Sequence, residues 1–252
     1  MKFSGWRHMM SLFSDRLQAG QQLSGSLKEY AGRHDIIVLA LPRGGVPVAY
    51  SIAKTLHAAL DVFLVGKLGV PGHEDLALGA ISSRGVCVLR PETIALMDIP
   101  VDAIDAIAHK ELREIKRRER AYHGIRPSLD IEGRVVIVVD DGLVTGATML
   151  AAVRALRHEH PGQIIVAVPV ATAESIAELE AEVDALFCLQ VPEWIASVGQ
   201  CYDEPGSPDD AQVIQYLQNA SDWLSEGEQE VASGRLPYAP VNAPAVGPSP
   251  GV

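Results

Sequence analysis

Residues 135–148 read Val-Val-Ile-Val-Val-Asp-Asp-Gly-Leu-Val-Thr-Gly-Ala-Thr. The unbroken run Val135–Val139 is entirely β-branched, the pattern of a strand buried on both faces. Asp140 and Asp141 stand at its carboxyl end, and a small-residue loop with Thr145 and Thr148 runs into a helical pattern over Met149–His158. A buried strand feeding a helix through such a loop restricts the chain to an α/β layer architecture.

The same stretch has a chemistry. The first amides of a helix lack intrahelical partners and carry partial positive charge, so a phosphate can be held there by backbone amides and threonine hydroxyls. Gly146 lets the backbone come close. The two carboxylates would repel that phosphate, but they suit sugar hydroxyls as hydrogen-bond acceptors. One ligand with a 5-phosphate and free ribose hydroxyls satisfies both halves. An ordinary loop whose acids face solvent is the plainer alternative.

The rest of the chain fits the same architecture. A helix is expected over Phe13–Tyr30, with strands at Ile36–Leu41, Val62–Val65, Val86–Leu89, Ile164–Val168 and Ala185–Leu189. Helices are expected at Val46–Leu60, Val101–Tyr122 and near Glu174–Glu182, with Leu68–Ala80 irregular because of its glycines and Pro71. Alternating strands and helices imply a mostly parallel, twisted sheet with helices on both faces. Ligands of such sheets lie beyond the carboxyl ends of the strands. From about Glu226 the pattern dissolves into a proline-rich tail, expected to be disordered.

Composition narrows the partners. A net charge of −11 over 252 residues argues against a nucleic-acid surface, which needs a basic stripe. No apolar run reaches membrane-spanning length. Cys87, Cys188 and Cys201 lack metal-ligand spacing, and Cys87 and Cys188 read as buried thiols; a reducing cytoplasm is the simplest setting. Neither a Gly-x-x-x-x-Gly-Lys-Ser/Thr loop nor a helix-opening Gly-x-Gly-x-x-Gly is present.

A second strand–loop–helix unit follows Ile36–Leu41. Its loop, Pro42-Arg43-Gly44-Gly45, combines a permanent charge with two glycines that permit close backbone approach. A plain βα turn with an exposed arginine would look the same. Lys67 follows the next strand, where a merely solvated lysine is also common.

Val135–Val139 with Asp140, Asp141, Thr145, Gly146 and Thr148 resembles, in order and spacing, the phosphoribosyl-diphosphate motif of type I phosphoribosyltransferases. Phe13, Asp15, Arg16, the 42–45 loop, Lys67 and Glu74–Ile81 extend the resemblance over about residues 12–205, toward bacterial members of undefined substrate. It implies an N-terminal extension (1–11), a phosphoribosyltransferase-like domain (12–225) with lid or hood elements near 68–83 and 101–122, and a tail (226–252).

The resemblance also implies site roles. Thr145, Gly146, Ala147 and Thr148 would hold the 5-phosphate, and Asp140 and Asp141 the ribose. Arg43, Gly44, Gly45 and Lys67 would hold the diphosphate. Magnesium would be bridged by substrate oxygens rather than caged by the protein. Asp140, Asp141, Lys67 and Arg43 would be the catalytic set in transferring ribose 5-phosphate to a nucleobase or related amine. A small-molecule substrate and a homodimer follow from the same likeness.

Four positions bear on the acceptor. Val144 replaces the aspartate of hypoxanthine-guanine enzymes and can serve neither as base nor as base contact, which argues against a 6-oxopurine handled that way. Val170, Ala171 and Trp194 are acceptor-pocket candidates; Trp194 could stack on a planar base or simply pack beside Pro192. Phe13, Asp15 and Arg16 could cover the site, or Asp15 could instead start a helix. His73-Glu74-Asp75 either contacts the metal–diphosphate or orders its loop. The arginines and lysines of 110–120 are mostly a solvated helical face, from which one arginine could reach the diphosphate. A non-catalytic sensor of phosphoribosyl diphosphate or a nucleotide is the competing reading.

Overall fold

The structure, a computed structural model, describes residues 11–124 and 128–232. The expected N-terminal extension (apart from Ser11) and most of the expected disordered tail lie outside those residues. In chain order the elements are α1 (Arg16–Ser24), β1 (Ile36–Ala40), α2 (Gly45–Leu56), β2 (Ala59–Val62), β3 (Val65–Val70), β4 (His73–Ser82), β5 (Cys87–Leu89), α3 (Pro91–Leu96), α4 (Val101–His123), β6 (Val135–Val139), α5 (Ala147–Arg157), β7 (Gln163–Val170), α6 (Ala173–Glu180), β8 (Ala185–Gln190) and α7 (Asp210–Ala232).

Five strands form one parallel sheet in the order β2-β1-β6-β7-β8. The β-branched run Val135–Val139 is its centre, and every residue of it is buried. Alternate side chains enter two separate cores. Val135, Ile137 and Val139 pack with Val38 and Ile52 on one face, while Val136 and Val138 pack with Leu39, Val153 and Leu156 on the other. Each fully buried aliphatic side chain of this kind contributes about 1.5–3 kcal/mol. From β1 the chain proceeds to β2 on one side, whereas β6 leads to β7 and β8 on the other. The crevice between the carboxyl ends of β1 and β6 is therefore the topological switch point, where ligands of such sheets bind.

The expected helix over Phe13–Tyr30 is shorter. Asp15 caps it by accepting the Gln18 amide at 2.8 Å, so Phe13 lies outside, and Gly25–Tyr30 tightens into a 3-10 turn. Helix α2 stops at Leu56, not Leu60, because His57 adopts a left-handed conformation (φ 53°). The chain then enters β2 earlier than expected.

The largest departure concerns 62–89. Val62–Val65 is not one strand, and Leu68–Ala80 is not irregular. Residues from Val65 onward form an antiparallel sheet of their own, in the order β3-β4-β5. Gly72 (φ 77°) makes its tight turn. Gly79 is required by proximity, since a Cβ there would lie 2.4 Å from the Val88 carbonyl oxygen. Glycines that look like breakers are thus a turn and a strand contact. This small sheet and α4, packed through Ile115 against Gly66, make the hood. Cys87, expected to be buried, is exposed because it lies on the short edge strand β5; Cys188 is half-buried and Cys201 buried. Helix α7 continues past Glu226, where the pattern was expected to end. No helix among the described residues is long and apolar enough to cross a membrane.

Candidate active site

Two loops meet at the switch point. The 42–45 loop follows β1, and the 140–148 loop follows β6. They touch through glycine. A Cβ on Gly44 would lie 2.3 Å from Asp141 Oδ2, and one on Gly45 would lie 2.6 Å from the Val139 carbonyl oxygen. The Pro42–Arg43 peptide is cis. Any side chain at 44 or 45 would drive the loops apart, so both glycines answer to close approach rather than to turn geometry.

The two acids have different surroundings. Asp140 accepts the Asp141 amide through Oδ1 at 2.8 Å. Burial, and next the neighbouring Asp141 carboxylate, push Asp140 well above the usual carboxylate range. Asp141 is held from several directions. Arg16 Nε donates to its Oδ2 at 2.7 Å, and Arg16 Nη2 stands at the same distance. The Tyr202 hydroxyl donates to its backbone carbonyl at 2.6 Å. Burial and the adjacent Asp141 charge raise the Tyr202 phenol far above its ordinary value, so it remains a donor.

Arg16 is only 6% exposed. Its Nη1 donates to the Gly206 carbonyl at 2.8 Å, and its guanidinium carbon lies 4.6 Å from the centre of the Tyr202 ring. Residues 12–14 are zipped to 201–204. The amides of Leu12 and Phe13 reach the Cys201 carbonyl at 2.9 and 3.0 Å, and the Asp203 amide returns to the Phe13 carbonyl at 3.0 Å. Residues 12–14 and 201–206 thus close like a buckle over Asp141.

The other half of the 140–148 loop is open. Thr145, Ala147 and Thr148 are exposed or half-exposed. Gly146 takes a left-handed conformation (φ 66°) immediately before α5, and a Cβ there would lie 3.0 Å from the Ser175 Cβ. Thr172 Oγ1 donates to the Val144 carbonyl at 2.8 Å, which fixes the loop from the next strand end. The first amides of α5 have no carbonyl partner within the helix. Val144 is half-buried.

A family comparison decides what this arrangement belongs to: the model of the phosphoribosyl transferase domain matches residues 13–205. The chain belongs to the phosphoribosyl transferase family. It is 38% identical over 225 residues, 89% of this chain and 51% of the relative, to a Mycobacterium tuberculosis protein provisionally named a phosphoribosyl transferase. It therefore spans about half of that relative's length. The Listeria welshimeri bifunctional protein PyrR is 39% identical over 106 residues, 38% of this chain and 58% of PyrR. Among solved structures, TT1426 from Thermus thermophilus superposes with a TM-score of 0.73 at 38% identity, covering 81% of this chain and 97% of that one.

Within this phosphoribosyl transferase domain, the expected site residues fall into three sets. Asp140, Asp141, Gly44 and Gly45 are in mutual contact, with the 145–148 loop continuing from them. Arg43 is exposed and its Nη1 stands 3.8 Å from Asp210 Oδ1 at the start of α7. Asp210 also accepts the Tyr122 hydroxyl at 2.8 Å, and burial followed by that bond pushes the Tyr122 phenol up to about 12. Lys67 does not end a core strand; it lies within β3 of the hood, opposite Ala80, with an exposed side chain. Val170 and Ala171 are fully buried, so their side chains face the core rather than a pocket. Trp194 is 61% exposed on the loop after β8, at the same end of the sheet as the two loops. His73 opens β4, on the hood; the placement of the Glu74 and Asp75 side chains is outside the described residues.

Sequence reasoning placed Arg16 at the site without its role. Its partner is 125 residues away, beyond any local spacing rule. The one local signal was an arginine at a helix start between Asp15 and Leu17, too weak to show burial, although an arginine is almost never buried unless paired.

Proposed function

We propose that the chain transfers ribose 5-phosphate from phosphoribosyl diphosphate to a nitrogen acceptor and releases diphosphate. The observation that carries this reading is the meeting at the β1/β6 switch point of a glycine-rich loop, an acid pair and an open helix N-terminus. In it, the backbone amides at the start of α5 and the hydroxyls of Thr145 and Thr148 hold the 5-phosphate. Asp140 accepts the ribose hydroxyls. The Gly44 amide holds the diphosphate, while the Gly45 amide donates to the Leu41 carbonyl at 3.1 Å and Gly45 serves the close approach of the loops. Arg43 exchanges Asp210 for the diphosphate, and Lys67 approaches from the hood.

Displacement at the anomeric carbon puts positive charge on the sugar and negative charge on the leaving diphosphate, as in glycoside chemistry. Asp140 beneath the ring favours the first, and Arg43 and Lys67 the second; one such charge-stabilising contact is worth about 2.7–4 kcal/mol in the transition state. Among the described residues, no cluster of three or more metal-ligating side chains exists. Asp141 Oδ2 is already committed to Arg16. That donor set fits magnesium held mainly by substrate oxygens and water, where it supplies countercharge to the diphosphate.

Trp194 offers a planar apolar surface for the acceptor, and Val144 in place of an acid favours an acceptor that needs no carboxylate to hold it. The test is diphosphate release from phosphoribosyl diphosphate and magnesium across a panel of bases and amines. Acceptor-dependent release supports transfer. Saturable binding without release for any acceptor supports a sensor instead.

A further inference from the structure

The geometry points to a division of labour within the acid pair: Asp140 alone meets the ribose, while Asp141 is a strut through which Arg16 positions the diphosphate loop. This rests on the phosphoribosyl diphosphate reading of the site and deepens it. The family resemblance assigns both acids to the sugar. Here Oδ2 of Asp141 receives Arg16 Nε and Nη2, each at 2.7 Å. The face of Gly44 closes on the same carboxylate, since a Cβ there would fall 2.3, 2.5 and 2.7 Å from Asp141 Oδ2, Cγ and Oδ1.

A carboxylate enclosed by an arginine on one side and a loop backbone on the other cannot turn to a sugar without opening both contacts. Among the described residues no arginine is hydrogen-bonded to Asp140. Its Oδ1 accepts the next amide and its carboxyl also meets that of Asp141, which still leaves lone pairs to offer.

Arg16 acts in two directions. Through Asp141 it holds the 44–45 backbone against the acid pair, where the Gly44 amide can serve an anion. Through the carbonyls of Glu204 and Gly206, at 3.3 and 2.8 Å, it holds the strap that leads to Asp210, the residue beside Arg43. The Tyr202 hydroxyl on the Asp141 carbonyl and the Phe13–Tyr202 ring contact, with centroids 5.7 Å apart, brace the same point. Arg16 is thus a positioning residue, not one that touches substrate.

The test compares wild type with Arg16→Gln, Arg16→Lys, Asp141→Asn, Asp140→Asn and the neutral pair Arg16→Gln/Asp141→Asn. Amide hydrogen exchange on the ligand-free protein is read at 43–46 and 203–206. Titration with phosphoribosyl diphosphate and magnesium is read by calorimetry. Arg16→Gln should speed exchange in both segments by about tenfold or more while the interior of β6 and β7 stays protected, the sign of local rather than global opening. Arg16→Lys should be intermediate. Single changes at 16 or 141 should weaken binding on the order of 10–100-fold, the scale of a lost charged hydrogen bond. The neutral pair, which leaves no buried unpaired charge, should recover most of that loss, whereas Asp140→Asn should lose binding with no change in exchange.

Unchanged exchange in Arg16→Gln, or a neutral pair as weak as Asp141→Asn alone, overturns the proposal; the second result would put the Asp141 carboxylate on the ribose. If Arg16→Gln does not fold, Arg16→Lys and the neutral pair decide the matter. A wild type that shows coupled exchange but no binding overturns the phosphoribosyl diphosphate reading and leaves the strut standing.

Discussion

The two halves of the 140–148 loop are built oppositely. The acid half is tied by an arginine, a tyrosine hydroxyl and the flank of Gly44. The threonine half stands open, fixed from behind by the Thr172 hydroxyl on the Val144 carbonyl, with Ser175 close beneath Gly146. A rigid acid half keeps its geometry whether or not a ligand is present. An open half leaves amides and hydroxyls that, on the proposed reading, suit an anion. Such a site divides preorganisation from recognition, and substitutions in the two halves should separate stability from affinity.

The largest expected effect comes from the tied half. Asp141→Asn strands a buried arginine, and breaking a buried pair by removing one partner costs about 3–5 kcal/mol. Urea unfolding would read this directly; a loss below about 1 kcal/mol, the worth of an exposed pair, would mean the pair is not enclosed. Gly44→Ala should cost about 1–3 kcal/mol, the usual penalty of overpacking, because the new methyl meets the Asp141 carboxylate. Arg43→Ala, whose side chain is half exposed, should leave stability near wild type, so the pair of variants distinguishes loop placement from loop charge.

Asp140→Asn should move stability the other way. In the unfolded chain an aspartate titrates near ~3.9, and folding raises Asp140 above that. Its stabilising contribution is therefore complete below the unfolded value and is lost as pH rises through the folded one. Asparagine copies the protonated form at every pH. The variant should match wild type in acid and exceed it at neutral pH by on the order of 1 kcal/mol, a Tm rise of about 2–4 °C, while losing affinity for the sugar. A Tm difference between variant and wild type that does not change with pH would contradict the assigned environment.

The smallest stability effect belongs to the open half. Thr148→Ala should change unfolding free energy by less than about 0.5 kcal/mol. Phosphate-dependent binding should nevertheless fall about tenfold or more, as a hydrogen bond to a charged group is lost. A destabilised Thr148→Ala would mean that this half, too, is structural.

How far the sequence reaches depends on the range of the interactions involved. The central sheet was legible because Val135–Val139 and Ile36–Leu41 are dense, local apolar signals. The two strand–loop–helix units at the switch point were legible because strand, loop and helix follow one another without a gap. The hood was not, since Gly69, Gly72 and Gly79 read as breakers, and only the strands beside them reveal that they serve a turn and close pairing. Lys67 was misplaced with the hood, onto the end of a core strand. The Arg16–Asp141 pair was missed for a related reason: the partners are 125 residues apart and no periodicity encodes them. Helix α7 was passed over although Val213, Leu217 and Ala220 mark a buried stripe at helical spacing.

The most direct test of the account is calorimetric titration of the wild-type chain, and of Thr148→Ala, with phosphoribosyl diphosphate in the presence of magnesium. The account predicts saturable one-site binding to wild type, weakened in Thr148→Ala at unchanged Tm. No heat with a folded, magnesium-saturated wild type, or equal affinity for both proteins, would contradict it.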